Sequence, residues 1–423
     1  LNPNVRGLGR SATLAINESS AARQARGEQV FRFGLGQSPF PVPDSVRDAL
    51  RDNAHQKDYL PVRGLAELRQ AVAGYHQRSV DVPVQADDVL IGPGSKELMF
   101  ILQLVRRATL LIPSPSWVSY APQAAILGRP VQWVDTRRED AWRLQPEALD
   151  AACRDDPQQP RTLILNDPNN PAGHTYSPDQ LQSLAEVARR WRVLIISDEI
   201  YSGVNHSGDH ASIARYYPEG TIISGGLSKW CGAGGWRLGT FAIPEPLHAL
   251  RDAMAVIASE TFTSVSAPIQ HAAIRGFAGG ADIDDYLLRS RQVLAAVAGR
   301  CHAALSARAG CQVAEPQGGF YLFPDLSDHA VGLAGHGIHD SATLCARILA
   351  DTGVATLPGT CFGRPPAELT LRLAYVDFDG ARALQAAAAT APDATLDEAF
   401  LQSCCPRVVA GIDRLADWIV SHR

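Results

Sequence analysis

Lysine is nearly absent from this chain. Of 39 basic residues in 423, three are lysines, Lys57, Lys96 and Lys229, and the rest are arginines. An amine can lose its proton and attack a carbonyl, whereas a guanidinium cannot, so each lysine is a candidate for chemistry rather than solvation. Also lacking is any apolar run near the ~20 residues that cross a bilayer. The first twenty residues have no apolar core of a secretion signal. No membrane partner is expected. The eight cysteines lack metal-ligand spacing, and the adjacent Cys404 and Cys405 are badly placed to bridge each other. The expectation is no metal, and reduced thiols in a cytoplasmic protein. A net charge of −5 argues against a nucleic-acid partner. Tandem repeats and low-complexity tracts are missing too.

What is present is the balance of a soluble globular protein, 46% hydrophobic and 20% charged, with length for two domains. Apolar runs at Val89–Gly92, Thr109–Pro113, Val131–Val134, Thr162–Leu165, Val193–Ser197, Thr221–Ser224 and Leu238–Ile243 read as buried strands. Helical patterns separate most of them, including Ser95–Val105, Pro178–Trp191 and Pro246–Ile257. This alternation predicts an α/β domain with a mostly parallel, seven-stranded sheet flanked by helices. Ligands of such sheets sit at the carboxyl ends of the strands. The C-terminal part mixes helices (Asp285–Ser306, Ser341–Asp351, Ala381–Ala391, Ala410–His422) with the strand-like GGFYLF and LTLRLAYV, an α+β pattern. The expected division is residues 1–43, 44–294 (large domain) and 295–423 (small domain). The first forty or so residues show no long periodic element and are expected to pack on the small domain and close over the site.

Five segments at strand ends carry candidate chemistry. In SGGLSKWCGAGGWRLG (224–239), glycines lead to Ser228 and Lys229, and Arg237 follows eight residues later. In VLIISDEIYSG (193–203), Asp198 ends an apolar strand and Tyr201 follows. A carboxylate there needs a partner, and a pyridinium N–H would serve as well as a helix cap or ion pair. In LILNDPNNPAGHTYS (163–177), Asn170 is placed to donate at the sheet edge, although turn chemistry alone explains the segment. In VLIGPGSKELMF (89–100), a Gly–Pro–Gly turn and a helix start at Ser95 make an anion site. Lys96 adds charge there or is solvated in the first turn. In LLIPSPSWVSY (110–120), Trp117 is a stacking indole or a core aromatic. An amine nucleophile, a ring-nitrogen carboxylate, two phenol-oxygen donors, a phosphate cradle and an indole are together the needs of one cofactor, pyridoxal 5′-phosphate (PLP).

PNNPAG, SDEIYSG and the SKW…GWRLG stretch resemble the class I/II aminotransferases of PLP fold type I, particularly the aspartate-aminotransferase-like branch. The resemblance spans about residues 30–395. It implies that Lys229 carries the cofactor as a Schiff base and that Arg237 binds its phosphate, with Ser95 and Lys96 in the phosphate cup. It implies further that Asp198 meets the ring nitrogen, Tyr201 and Asn170 the phenol oxygen, and Trp117 the ring face. KDYLPVRGL (57–65) is similar to the loop whose tyrosine, here Tyr59, reaches a phosphate in the other subunit. That implies a homodimer with shared active sites. LRLAYV (371–376) is similar to the strand whose arginine, here Arg372, pairs with the substrate α-carboxylate. FGLGQSPFPVP (33–43) resembles the segment that closes over substrate, with Gly36 as its backbone contact. Gln37-Ser38 and Cys231-Gly232-Ala233 depart from the family pattern and are expected on the substrate side of the pocket.

The implied reaction moves the α-amino group of an L-amino acid, with aspartate or glutamate as candidate donors, to a 2-oxo acid by a ping-pong mechanism. Lys229 takes and returns the α-proton. Elimination, replacement or cyclisation of an amino acid begins with the same proton loss and stays open. A non-enzymatic regulator on this scaffold would need a basic DNA-binding segment, which does not precede residue 30. A dicarboxylate specialist needs a second cation, for which Arg32, Arg63 and Arg106 are candidates.

Overall fold

The computed structural model describes residues 2–9, 11–391 and 394–423. Its strands are, in chain order, β1 Phe31–Arg32, β2 Val89–Gly92, β3 Thr109–Ser114, β4 Val131–Asp135, β5 Arg161–Asn166, β6 Leu194–Asp198, β7 Thr221–Gly226, β8 Gly239–Ala242, β9 Tyr321–Leu322, β10 Val354–Ala355, β11 Leu357–Pro358 and β12 Leu371–Ala374. Strands β2 to β8 form one seven-stranded sheet in the order β2-β8-β7-β6-β5-β3-β4. β8 runs antiparallel to both its neighbours, and every other pair is parallel. All seven apolar runs named above form strands of this sheet, with ends that agree to within two residues.

Successive strand residues point to opposite faces, and each face has its own core. Leu111, Leu163, Leu165 and Ile195 pack with Leu149 of the helix Pro146–Arg154 and with Leu181 and Leu184 of Pro178–Arg190. Leu110, Ile112, Ile164, Leu194 and Ile196 pack on the other face, with Leu98, Met99 and Leu102 of Ser95–Val105 and Met254 of His248–Thr261. The helix Pro178–Arg190 starts where its sequence dictates. Ser177 and Gln180 form a reciprocal capping box, and Pro178 takes the first helical position.

The C-terminal part builds on the 23-residue helix Ala281–Ala303, the antiparallel sheet β11-β12-β9, and the helices Ser341–Thr352, Gly380–Ala388 and Pro406–Ser421. The N-terminal segment joins it through β1, which pairs in parallel with β10. Phe31 and Phe33 lie in the same core as Ile412 and Leu415. The Ala374 N–H donates to the Phe33 carbonyl at 2.8 Å, which sets the following residues, Gly34 to Gln37, beside β12.

One expectation fails here. The first forty residues do contain a long element, the helix Ala12–Ala25. Only Ser20 is buried among its residues, so there is no apolar stripe for periodicity to reveal. Its alanines favour a helix without one. No helix among the described residues is long and apolar enough to cross a membrane.

The C-terminal helix makes a direct test of this packing. Ile412 is fully buried, so Ile412→Ala should lower the unfolding free energy by about 2–5 kcal/mol, read from urea denaturation. A loss near zero would mean that the helix does not belong to the core.

Candidate active site

Three neighbouring parallel strands carry polar residues at one level near their carboxyl ends. Asn166 ends β5 and Asp198 ends β6, and the register pairs Asn166 with Asp198 and Asp198 with Ser224 of β7. The Asn166 Nδ2 donates to the Asp198 carbonyl at 2.8 Å, and its Oδ1 accepts from the Asn170 N–H at 2.7 Å. Above this edge opens a cavity of about 580 Å³. Gly36, Ser95, Lys96, Trp117, Asn170, Asp198, Tyr201, Ser228, Lys229, Arg237 and Arg372 all line it. They come from seven separate stretches of chain. Tyr59 does not line it and is 90% exposed on the outer surface.

Lys229 follows the turn after β7, and its Nζ donates to the Gly36 carbonyl at 2.7 Å. Burial pulls its pKa down to about 8; the nearby Arg372 adds to the shift and Asp198 opposes it. Asp198 is buried, and burial pushes its carboxyl up to about 6 against hydrogen bonds from Tyr120, the Ile200 N–H and Ser224. The hydroxyls of Tyr201 and Tyr321 lie 2.7 Å apart, and burial pushes both phenols up.

Two anion-binding places flank these groups. In the first, Gly94 (φ +95°) turns the chain from β2 into the helix Ser95–Val105. A Cβ on Gly94 would lie 2.4 Å from Arg237 Nη2, and one on Gly239 would lie 2.1 Å from the Ser95 nitrogen. Glycine at both positions lets the helix start, with its free N–H groups, sit against the guanidinium. Arg237 donates to the Gly234 and Pro93 carbonyls at 2.9 and 3.4 Å and to no carboxylate among the described residues.

In the second, Arg372 of β12 is 1% exposed. Its guanidinium donates to the Gly34 carbonyl and, at 3.4 Å, to Asn170 Oδ1, and it lies under the rings of Tyr321 and Phe362. Its Nε has no hydrogen-bond partner, and no carboxylate neutralises it among the described residues. A buried cation without a counter-charge is costly unless a ligand supplies one. The anion cradle, the amine with a lowered pKa, the buried carboxylate and the indole of Trp117 fit the phosphate, aldehyde, ring nitrogen and ring face of PLP.

Several cavity residues escaped the reading of the sequence. Tyr120, Tyr321 and Asn166 line the cavity, as do Ser11, Thr13 and Leu14 beside the N-terminal helix. Tyr120 and Tyr321 stand in apolar segments, where an aromatic looks like core. Their positions, Tyr120 at a helix start near Trp117 and Tyr321 at a strand start after Gly318-Gly319, were the available signal. The three arginines named as second cations are elsewhere. Arg32 donates to Asn17, Arg63 pairs with Asp87, and Arg106 donates to Thr162. Of the departures from the family pattern, Gln37 lines the cavity, whereas Cys231 and Ala233 are buried in the core. All eight cysteines are free thiols.

The family described as aminotransferase class I and II matches residues 28–387. The chain belongs to that family. It is 30% identical over 381 residues to the aspartate aminotransferase of Bacillus sp. strain YM-2, covering 88% of this chain and 93% of the relative. It is 32% identical over 387 residues to the aspartate aminotransferase of Geobacillus stearothermophilus, covering 89% and 94%. Among solved structures, the aspartate aminotransferase from Thermus thermophilus with maleate superposes with a TM-score of 0.83 at 26% identity, covering 99% of both chains. The protein has the aspartate aminotransferase fold and is a PLP-dependent amino-acid aminotransferase.

The lowered pKa of Lys229 has a measurable sign. Its amine attacks an aldehyde only when neutral, so apoprotein should capture PLP faster as pH rises through about 8 and level off above. Stopped-flow absorbance reads the rate. A rate still climbing steeply above pH ~10, as for a solvated lysine, would contradict the buried environment.

Proposed function

We propose that this aminotransferase moves the α-amino group of aspartate or glutamate to a 2-oxo acid in a ping-pong cycle, with Lys229 as its acid–base. The observation that carries this reading is Arg372, a buried guanidinium that lacks a carboxylate and lies close enough to Lys229 to depress its pKa. A substrate α-carboxylate held by Arg372 and Asn170 would bring the α-carbon to the amine. Bidentate binding would fix which α-bond faces Lys229.

When bound, PLP supplies a ring that withdraws electrons and stabilises negative charge at the α-carbon. The residues that would hold it are the Ser95 and Lys96 backbone, Ser228 and Arg237 at the phosphate, Tyr201 and Asn170 at the phenol oxygen, and Trp117 at the ring face. Asp198 would hold a proton on the ring nitrogen. Lys229 Nζ, the group that would hold the cofactor's aldehyde carbon, would take the α-proton of the substrate and return it. The Gly36 carbonyl, now bonded to that amine, would orient it. Ser11, Thr13, Leu14 and residues 35–37 line the cavity and would exclude water once substrate is bound.

The dicarboxylate choice rests on Lys96. Four cationic residues line the cavity among those described: Lys96, Lys229, Arg237 and Arg372. The reading assigns the last three, which leaves Lys96, poised over the Trp117 ring at 4.9 Å, for a side-chain carboxylate. The relatives named above act on aspartate, and the Thermus structure carries maleate, itself a dicarboxylate.

The same reading includes a homodimer in the cytoplasm. Tyr59, exposed and outside its own chain's cavity, is free to serve a partner's phosphate site. Eight free thiols, seven of them buried, suit a reducing compartment. We read residues 1–43, 44–294 and 295–423 as closing segment, large domain and small domain. The β1–β10 pair and the cavity residues before position 40 support that division.

Lys229→Ala should lose the absorbance of attached PLP and nearly all turnover; a variant that kept both would overturn the mechanism. Aspartate alone should convert the holoenzyme to the pyridoxamine form with release of one keto acid per site. Continued turnover without an acceptor would point to elimination or replacement instead. Lys96→Ala should raise KM for aspartate at least about tenfold, the weight of one charged hydrogen bond, and leave KM for alanine unchanged. Equal losses on both substrates would remove Lys96 from side-chain recognition. The native mass in sedimentation should be twice 45.4 kDa.

A further inference from the structure

Asp198 does not stand alone at the sheet edge. The hydroxyl of Tyr120 donates to its Oδ2 at 2.5 Å. The two residues are 1% and 3% exposed. Tyr120 opens the helix Tyr120–Ile126, and its ring stands edge-on to Trp117, centroids 5.2 Å apart at 82°. One short stretch of chain thus carries both the indole of the cavity wall and the phenol beneath it. Among the described residues the phenol makes no other side-chain hydrogen bond. The other carboxylate oxygen, Oδ1, lies 3.5 Å from Ser224 Oγ, and the Ile200 N–H also donates to the carboxylate. Oδ2 is taken by the short phenol bond, whereas Oδ1, with a long contact to Ser224, keeps the capacity to accept from a ring nitrogen.

The physical need for the phenol follows from burial. Removing a carboxylate from water favours its protonated form. A protonated Asp198 would not draw a proton onto the ring nitrogen, because the two sites share that proton. It sits on whichever is more basic. A hydrogen bond donated to the carboxylate makes it less basic, and a bond this short between buried partners does so strongly. The phenol itself stays neutral, since burial and the adjacent carboxylate both raise its pKa.

We propose that Tyr120 is a positioning residue that keeps Asp198 ionised, aims its Oδ1 at the cavity, and so keeps the shared proton on the ring nitrogen of PLP. This inference rests on the reading of Asp198 as the ring-nitrogen partner.

The test uses holoenzyme reconstituted with ring-¹⁵N-labelled PLP. It compares wild type, Tyr120→Phe, Asp198→Asn and the double variant. Phenylalanine keeps the buried ring and deletes the hydroxyl alone, so packing is preserved. The ¹⁵N resonance reports protonation of the ring nitrogen directly, and the half-reaction with the amino donor gives kcat and KM. In Tyr120→Phe the resonance should move toward the neutral-pyridine position, and kcat should fall about tenfold with KM within about twofold, a loss confined to the chemical step. On the Asp198→Asn background the same substitution should change kcat less than about twofold, because the two side chains act as one unit.

A Tyr120→Phe enzyme with the wild-type resonance and kcat would overturn the proposal. So would equal losses in both backgrounds, which would make the hydroxyl a packing contact. If Asp198→Asn itself kept a protonated ring and full turnover, the reading of Asp198 would fall and this inference with it. Collapse of Asp198→Asn beside an unaltered Tyr120→Phe would reject the role of Tyr120 alone.

Discussion

Asn166, Asp198 and Ser224 stand side by side because β5, β6 and β7 run parallel in one register. The constraint that fixes the register lies below them. Each strand carries an apolar run buried on both faces, and a one-residue slip would exchange the two faces and their cores. The row of polar groups is thus a by-product of how the apolar rows pack. The rest of the site hangs from it. Asn166 ties the Asp198 strand to Asn170, Asn170 meets Arg372, and Arg372 holds the Gly34 carbonyl of the N-terminal segment. A chain of polar contacts therefore runs from the large sheet, through β12, to the opening of the cavity.

The charges along that chain are not balanced by protein. Lys96, Lys229, Arg237 and Arg372 face one cavity with Asp198 as the single carboxylate lining it among the described residues. Lys229 and Arg372 oppose each other's charge at close quarters. Such an arrangement lowers stability and is complete only with anionic groups present, one at the helix start of Ser95 and one at Arg372. Binding and folding are linked here by mass action. Whatever fills these places relieves repulsion that the folded chain otherwise carries.

How much of this was legible in the sequence depends on what each element answers to. The seven strands of the main sheet answer to burial, so their apolar runs announced them. The residues at their ends were legible because a polar group after such a run has few other reasons to be there. The helix Ala12–Ala25 packs only lightly, through Ala12 and Ile16, and shows no buried apolar stripe, so it was silent. Tyr120 and Tyr321 were hidden for another reason. Their rings belong to the core, and only their hydroxyls reach the site, through partners 78 and 120 residues away in the chain. The arginines at 32, 63 and 106 failed in the opposite way: each is a cation with a local partner that a linear reading does not see.

The β1–β10 pair carries a consequence for the order of assembly. Phe31 finds its strand partner only at Val354. As the chain leaves the ribosome, the large sheet can close long before that partner exists. The segment around Phe31, which emerges before the sheet, waits with its phenylalanines exposed until β10 has followed. Contacts this distant along the chain form slowly. A segment made before the large sheet is thus among the last to find its place, and the cavity stays open on that side until it does.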